Sequence, residues 1–382
     1  MKIAIAANGD PKSVKTWSGI PHYLVRALEK KGHEVIGIQL RLPAYSVYDR
    51  ILLSFYWHIR KRWFRPMFEK SFLLHTSKQL DEAVAEIQPD IVLVIKADYL
   101  AYTTFKQPSI TIHDATFAVL VDYYDVFYNL CQRTINSGNR MYQNALEKAY
   151  AAVFSADWAS KSAIRDYGIS ANKIHTIPLG ANIEKAPDPE LVTTWIKERS
   201  EKAVCTFLFL GIDWERKGGA DALQMVLELN RMGIKAVLNV IGCTPDIQEA
   251  DRPYIHLMGF MRKDVPAEYE RLVQSIAESH AILLPSLAEC YGCVFCEVNA
   301  FGLPALGRDT GGISEIIKDG HNGLLLGPKE SPAAFARRWK TIWEDKSLYI
   351  DMSHRARKEY DERLNYDVFV TRLEKIMDAA VS

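Results

Sequence analysis

Two glutamates, Glu289 and Glu297, stand with seven residues between them in Leu284-Pro285-Ser286-Leu287-Ala288-Glu289-Cys290-Tyr291-Gly292-Cys293-Val294-Phe295-Cys296-Glu297. A buried strand ends at Pro285-Ser286, and a short loop then carries Glu289. Gly292 lets the backbone approach a ligand, and a helix opening at Cys293 and Val294 carries Glu297. Backbone N–H groups at such a helix start suit a phosphate, and carboxylates accept hydrogen bonds from vicinal hydroxyls. The arrangement therefore suits a sugar and a ribose on either side of an anionic diphosphate. On spacing alone, a capping glutamate and a solvated helix glutamate would read the same way.

A second segment, Phe207-Leu208-Phe209-Leu210-Gly211-Ile212-Asp213-Trp214-Glu215-Arg216-Lys217-Gly218-Gly219, passes from strand through turn to helix start. Arg216 and Lys217 at that turn would give a leaving diphosphate bidentate and point-charge contacts. A solvated turn is the plain alternative. Cys290, Cys293 and Cys296 form Cys-x2-Cys-x2-Cys, the spacing of a metal or iron–sulfur site, but no fourth ligand lies nearby. They read as small packing residues in the glutamate segment.

The elements that must hold these residues alternate strand and helix in both halves. The first half reads as strands Lys2–Asn8, Glu34–Leu40, Asp90–Lys96, Ser109–Asp114 and Ala151–Ala156, and the second as Val204–Ile212, Lys235–Cys243, Tyr254–Phe260, His280–Ser286, Pro304–Arg308 and Gly323–Leu326. Such alternation implies parallel sheets covered by helices, and near-continuous apolar runs such as Ile91-Val92-Leu93-Val94-Ile95 fit strands buried on both faces. Pro187-Asp188-Pro189 marks the boundary: an N-terminal domain over 1–185 and a C-terminal domain over 186–359, with a last helical segment, 360–382, returning to the first. With 382 residues, 48% hydrophobic and 25% charged, the chain can bury two cores. Lys+Arg and Asp+Glu each total 47, so no net field recruits nucleic acid.

Strand, Pro-Ser, Glu-x7-Glu and Asn299-Ala300-Phe301-Gly302-Leu303-Pro304 together resemble glycosyltransferase family four, the retaining enzymes of the GT-B fold. Val240-Ile241-Gly242, Met258-Gly259-Phe260 and Asp309-Thr310-Gly311-Gly312-Ile313-Ser314-Glu315-Ile316-Ile317 extend the likeness over most of the chain. One departure stands out: Ile212 occupies the place after the first Gly where the family carries an arginine, so Arg216 is the residue that takes over.

The resemblance implies an α/β GT-B fold, two facing Rossmann-like domains with a cleft between them and a C-terminal helix crossing back. It also implies transfer of a sugar from a UDP- or GDP-sugar to an acceptor hydroxyl with retention, in polysaccharide, glycolipid or glycoconjugate biosynthesis. Lys217, Arg216, Gly292, Cys293 and Val294 then bind the diphosphate, Glu289 the sugar and Glu297 the ribose, with Leu284, Gly259 and Phe260 lining the donor site and the last two near the base. Ile112-His113-Asp114 resembles the family's His-Asp, with His113 against the transferred sugar. Ser18-Gly19-Ile20-Pro21 resembles its first loop, with Gly19 and Ile20 meeting a phosphate or the acceptor. No Asp-x-Asp occurs anywhere in the chain, so neither a divalent metal nor any cofactor beyond the donor is expected. An epimerase of the same fold and a non-catalytic nucleotide-sugar-binding protein are the other classes.

The segment Ile51–Phe68 mixes aromatics with Arg60, Lys61, Arg62 and Arg65. It could lie on an anionic membrane, hold an anionic acceptor, or pack on the first sheet with its charges solvated. Few cysteines, an N-terminus without a signal-peptide pattern and no long apolar run give the expectation of a cytoplasmic protein, peripheral at the inner membrane face if that segment meets lipid.

Overall fold

The structure, a computed structural model, describes residues 1–382. It divides into two units, one of Met1–Leu179 with Tyr366–Ser382 and one of Gly180–Asn365. In the N-terminal unit β1 (Lys2–Asn8), β2 (Glu34–Leu40), β3 (Ile91–Ile95), β4 (Ser109–His113), β5 (Ala151–Phe154) and β6 (Ile174–Thr176) form one parallel sheet in the order β2-β1-β3-β4-β5-β6. In the C-terminal unit β7 (Cys205–Leu210), β8 (Ala236–Ile241), β9 (Ile255–Leu257), β10 (Ala281–Leu284), β11 (Ala305–Arg308) and β12 (Gly323–Leu326) form a second, in the order β12-β11-β10-β7-β8-β9.

Both central strands are apolar without alternation because helices cover both faces of each sheet. Every residue of β3 and of β10 is buried, and β1 is buried from Ile3 to Ala7. Register follows from parallel pairing, with Lys2 opposite Glu34 through Asn8 opposite Leu40, and Phe207 opposite Ala281. The edge strands β6 and β9 are three residues each. The sequence pattern does not announce β6, since Ile174-His175-Thr176 is too short to show one.

The division at Leu179/Gly180 falls before the expected 185/186 because the next residues are fastened to the C-terminal unit. Ala181 N donates to the Leu364 carbonyl at 3.0 Å, and the Asn182 carbonyl accepts from Lys263 at 3.1 Å. The returning helix runs over Tyr366–Val381 and starts later than 360 because Tyr360–Glu362 complete the preceding helix, Lys346–Glu362. It buries Phe369, Val370, Leu373 and Met377 and is tied to the first unit by Lys30–Asp367 at 2.6 Å and His33–Glu374 at 3.0 Å.

The Ile51–Phe68 segment does not behave as one amphipathic helix on the sheet. Helix Val47–Phe55 has no buried residue and runs into a π-helical turn, Tyr56–Arg60. Only the residues beyond that turn are drawn into the core: Trp63 N donates to the Asn129 carbonyl at 2.8 Å, and Phe64 and Phe68 are buried.

Candidate active site

In the C-terminal unit the neighbours β7 and β10 continue in opposite directions, to β8 and β9 on one side and to β11 and β12 on the other. A reversal of this kind opens a crevice at the strands' carboxyl ends. The loops leaving β7 and β10 carry Arg216, Lys217 and Glu289, and they are joined through the backbone: Leu287 N donates to the Arg216 carbonyl at 2.8 Å. Gly218, at φ +72°, lies so close to the second loop that a Cβ there would sit 2.2 Å from the Pro285 oxygen. Only glycine meets both demands. Arg308, ending β11, braces the same place by donating Nε to the Pro285 carbonyl at 3.3 Å while its guanidinium pairs with Asp221.

This close approach sets Lys217 Nζ against Glu289 Oε2. Arg216 Nη1 lies 3.5 Å from the same oxygen and donates to the Ala288 carbonyl at 3.1 Å, while Arg216 Nε holds Asp213 at 3.1 Å. The Lys217 and Glu289 side chains are 13% and 11% exposed, where charge contacts count for more than in open water. The sequence pattern sends Lys217 to a diphosphate and Glu289 to a sugar. The structure joins the two residues directly, and an ammonium with three donors can hold the carboxylate and a phosphate oxygen together.

Gly292, at φ +92°, caps helix Cys293–Asn299, so Cys293 and Val294 occupy its first two positions. Glu297, one turn further, is buried and pairs with Lys263 Nζ at 2.8 Å. Lys263 is the residue sequence reasoning missed. It lies just after the Gly259-Phe260 segment, yet a lysine in a polar loop has no spacing that distinguishes it. Gly259, at φ +76°, accepts from Gly242 N at 3.0 Å, and Phe260 is 64% exposed. Leu284 is wholly buried within β10, so its side chain anchors the strand and only its backbone leads to the loop. Ser286 Oγ is buried without a hydrogen-bond partner. Burial pushes the Cys296 thiol up to about 12, and it donates to Tyr291 Oη at 3.6 Å. Cys296 is wholly buried and packs in the core of the unit.

In the N-terminal unit His113 ends β4, buried at 2% exposure and stacked on Phe154 with ring centroids 4.9 Å apart. Its Nδ1 is 2.9 Å from Tyr142 Oη, which itself donates to the Ala115 carbonyl at 2.6 Å. With the tyrosine proton so committed, Nδ1 carries the imidazole hydrogen and Nε2 is left as an acceptor. Nε2 is buried with no partner. Burial, helped by the nearby Lys96 charge, lowers the His113 pKa to about 3, so the ring is neutral at pH 7. Gly19, at φ +86°, caps helix Ile20–Lys30 after two further left-handed residues, Trp17 and Ser18. The Ile20 N–H is bonded to the Trp17 carbonyl.

These features belong to two α/β units, each built on a parallel sheet with one reversal of strand order, and comparison with known proteins gives the class. Residues 206–359 match the family model "Glycosyl transferases group 1", and residues 21–185 match "Glycosyltransferase Family 4". The chain belongs to glycosyltransferase family four, and its fold is GT-B. It is 24% identical over 226 residues to alpha-D-kanosaminyltransferase of Streptomyces kanamyceticus, covering 56% of each chain. Sucrose-phosphate synthase from Thermosynechococcus elongatus superposes with a TM-score of 0.69 at 15% identity, covering 99% of this chain and 98% of that one. The Anabaena protein HepE in complex with UDP superposes with a TM-score of 0.65 at 15% identity, covering 99% and 100%. The chain spans less than two thirds of the length of the curated relatives it matches.

Proposed function

We propose that this protein is a retaining glycosyltransferase that moves a sugar from a uridine or guanosine diphosphate sugar to an acceptor hydroxyl, in glycoconjugate biosynthesis, without a divalent metal. The observation that carries this reading is the cluster of Lys217, Arg216 and Glu289 at the β7/β10 reversal. Lys217 and Arg216 neutralise the diphosphate as it departs, assisted by the helix start at Cys293 and Val294. Glu289 accepts hydrogen bonds from sugar hydroxyls, and Glu297, steadied by Lys263, accepts from the ribose. The unpartnered Ser286 Oγ gives the donor one further hydrogen bond.

His113 contributes as a neutral acceptor. Its Nε2 takes a hydroxyl proton in a hydrogen bond, with Tyr142 fixing the tautomer from behind. Retention follows from a front-face displacement in which a departing phosphate oxygen receives the acceptor's proton, so no protein nucleophile is needed. Two fixed cations take the charge-stabilising role that a metal ion plays elsewhere. The UDP bound by the Anabaena protein favours uridine as the base.

The test is a panel of uridine, guanosine and adenosine diphosphate sugars, following nucleoside diphosphate release with and without candidate acceptors, in EDTA. Acceptor-dependent release with an unchanged anomeric configuration in the product is expected. Acceptor-independent release of nucleotide with an epimerised sugar, or no donor binding across the panel, would sink the reading.

A further inference from the structure

The helix Val47–Phe55 and the π-helical turn Tyr56–Arg60 expose apolar side chains that the fold leaves uncovered. Val47 is 74% exposed, Ile51 60% and Ile59 68%, with Tyr48 and Phe55 also open. At i, i+4 and i+8 Val47, Ile51 and Phe55 share one stripe, and the turn carries Ile59 on from it. The opposite side is the one that is held: Tyr56 stacks on Phe64 with centroids 5.5 Å apart, and Trp57 on Trp63 at 4.1 Å. A stripe this open on an otherwise well-packed unit marks an interaction surface.

Charge decides the kind of partner. Arg50, Arg60, Lys61 and Arg62 are all exposed beside the stripe, and no carboxylate pairs with any of them. The one acid between residues 41 and 68 is Asp49, whose carboxylate is spent on the helix cap, accepting from Ser46 N at 2.9 Å and from Ser46 Oγ at 2.7 Å. An apolar stripe rimmed by cations suits a surface that is oily within and anionic at its rim. A second copy fits less well, because a two-fold contact would set the four cations against their own counterparts. No helix of the chain is long and apolar enough to cross a membrane, so the contact lies in the interface plane.

We infer that residues 47–62 dock the N-terminal unit on an anionic phospholipid surface, with Val47, Ile51, Phe55 and Ile59 entering the headgroup boundary and Arg50, Arg60, Lys61 and Arg62 meeting lipid phosphates. The proposal is independent of the nucleotide-sugar reading, since none of these residues belongs to that site.

The experiment is co-sedimentation of the full chain with phosphatidylcholine vesicles, with and without phosphatidylglycerol, at low and high salt. Two double variants accompany it, Ile51→Ser with Ile59→Ser, and Arg60→Glu with Arg62→Glu, each checked by thermal melting. Because the four side chains are exposed, unchanged melting is expected. The wild type sediments with the anionic vesicles, less so in high salt, and each pair lowers the affinity about tenfold or more. Failure to bind anionic vesicles, or binding that neither pair weakens, overturns the proposal. So does a dimer by light scattering that the Ile51/Ile59 pair abolishes while vesicles go unbound, which would assign the stripe to a second copy.

Discussion

The two units share a six-stranded parallel sheet with one reversal in strand order, at β1/β3 in the first and at β7/β10 in the second, yet they furnish the strand ends in opposite ways. In the C-terminal unit the loops bring full charges into contact, Lys217 with Glu289 and Lys263 with Glu297. In the N-terminal unit the strand ends offer a run of left-handed backbone at Trp17, Ser18 and Gly19 and an imidazole that burial keeps neutral. The same architecture thus supports charge stabilisation in one unit and hydrogen-bond orientation in the other. On the proposed function, the first serves a departing diphosphate and the second a bound hydroxyl.

The contrast can be broken by exchanging the weight of the two sites. Glu289→Gln keeps the shape of the loop and removes the charge that Lys217 meets, and transfer should fall roughly 100- to 1,000-fold with little change in melting. His113→Asn, which loses only a neutral acceptor, should cost less, about 10- to 100-fold. Steady-state rates on the preferred donor decide it: a His113 variant slower than the Glu289 variant would reverse the division of labour.

A second prediction concerns the backbone contact that builds the charged site. Gly218→Ala must place a Cβ against the Pro285 carbonyl at a left-handed φ, and about 2–4 kcal/mol of stability should be lost, read by chemical denaturation. A wild-type midpoint would mean that the β7 and β10 loops are not held in this approach.

The smallest effect sharpens the neutral side. His113 in the first unit and His280 in the second have pKa values lowered to about 3 and about 4, both chiefly by burial. An unfolded histidine titrates near about 6.5, so below that pH the unfolded chain binds protons the folded one does not. Stability therefore falls as pH drops from about 6.5 towards 4, by up to about 1.4 kcal/mol per pH unit for each histidine. His280 uses both ring nitrogens, Nδ1 accepting from Thr206 N and Nε2 donating to the Arg199 carbonyl, each at 2.9 Å. His113 uses one. Denaturation at pH 7.5 and 5 should show the loss, with a shallower slope in His113→Asn; stability independent of pH across that range would contradict the buried neutral state.

The sheets and the charged loops were legible in the sequence because their signals are local. Ile91–Ile95 is apolar throughout, and Glu289, Gly292 and Glu297 fall within nine consecutive positions. The features that escaped depend on distant parts of the chain. The Lys217–Glu289 pairing follows from Gly218 meeting Pro285, and Lys263 reaches Glu297 across the fold with no motif to announce it. The tautomer of His113 hangs on Tyr142 and on where that hydroxyl sends its own proton. In Ile51–Phe68 the sequence shows aromatics mixed with cations, but composition alone could not say which side chains the fold covers. Leu284 lies inside the motif, yet its side chain serves the core.

Titration calorimetry of uridine and guanosine diphosphates and the corresponding nucleosides into wild type, Lys217→Ala and His113→Asn tests the central claim most directly. Lys217→Ala should weaken the diphosphate about tenfold or more while leaving the nucleoside nearly unchanged, and His113→Asn should alter neither. Equal diphosphate affinity in wild type and Lys217→Ala would show that the charge cluster at the β7/β10 reversal is not where the donor's diphosphate binds.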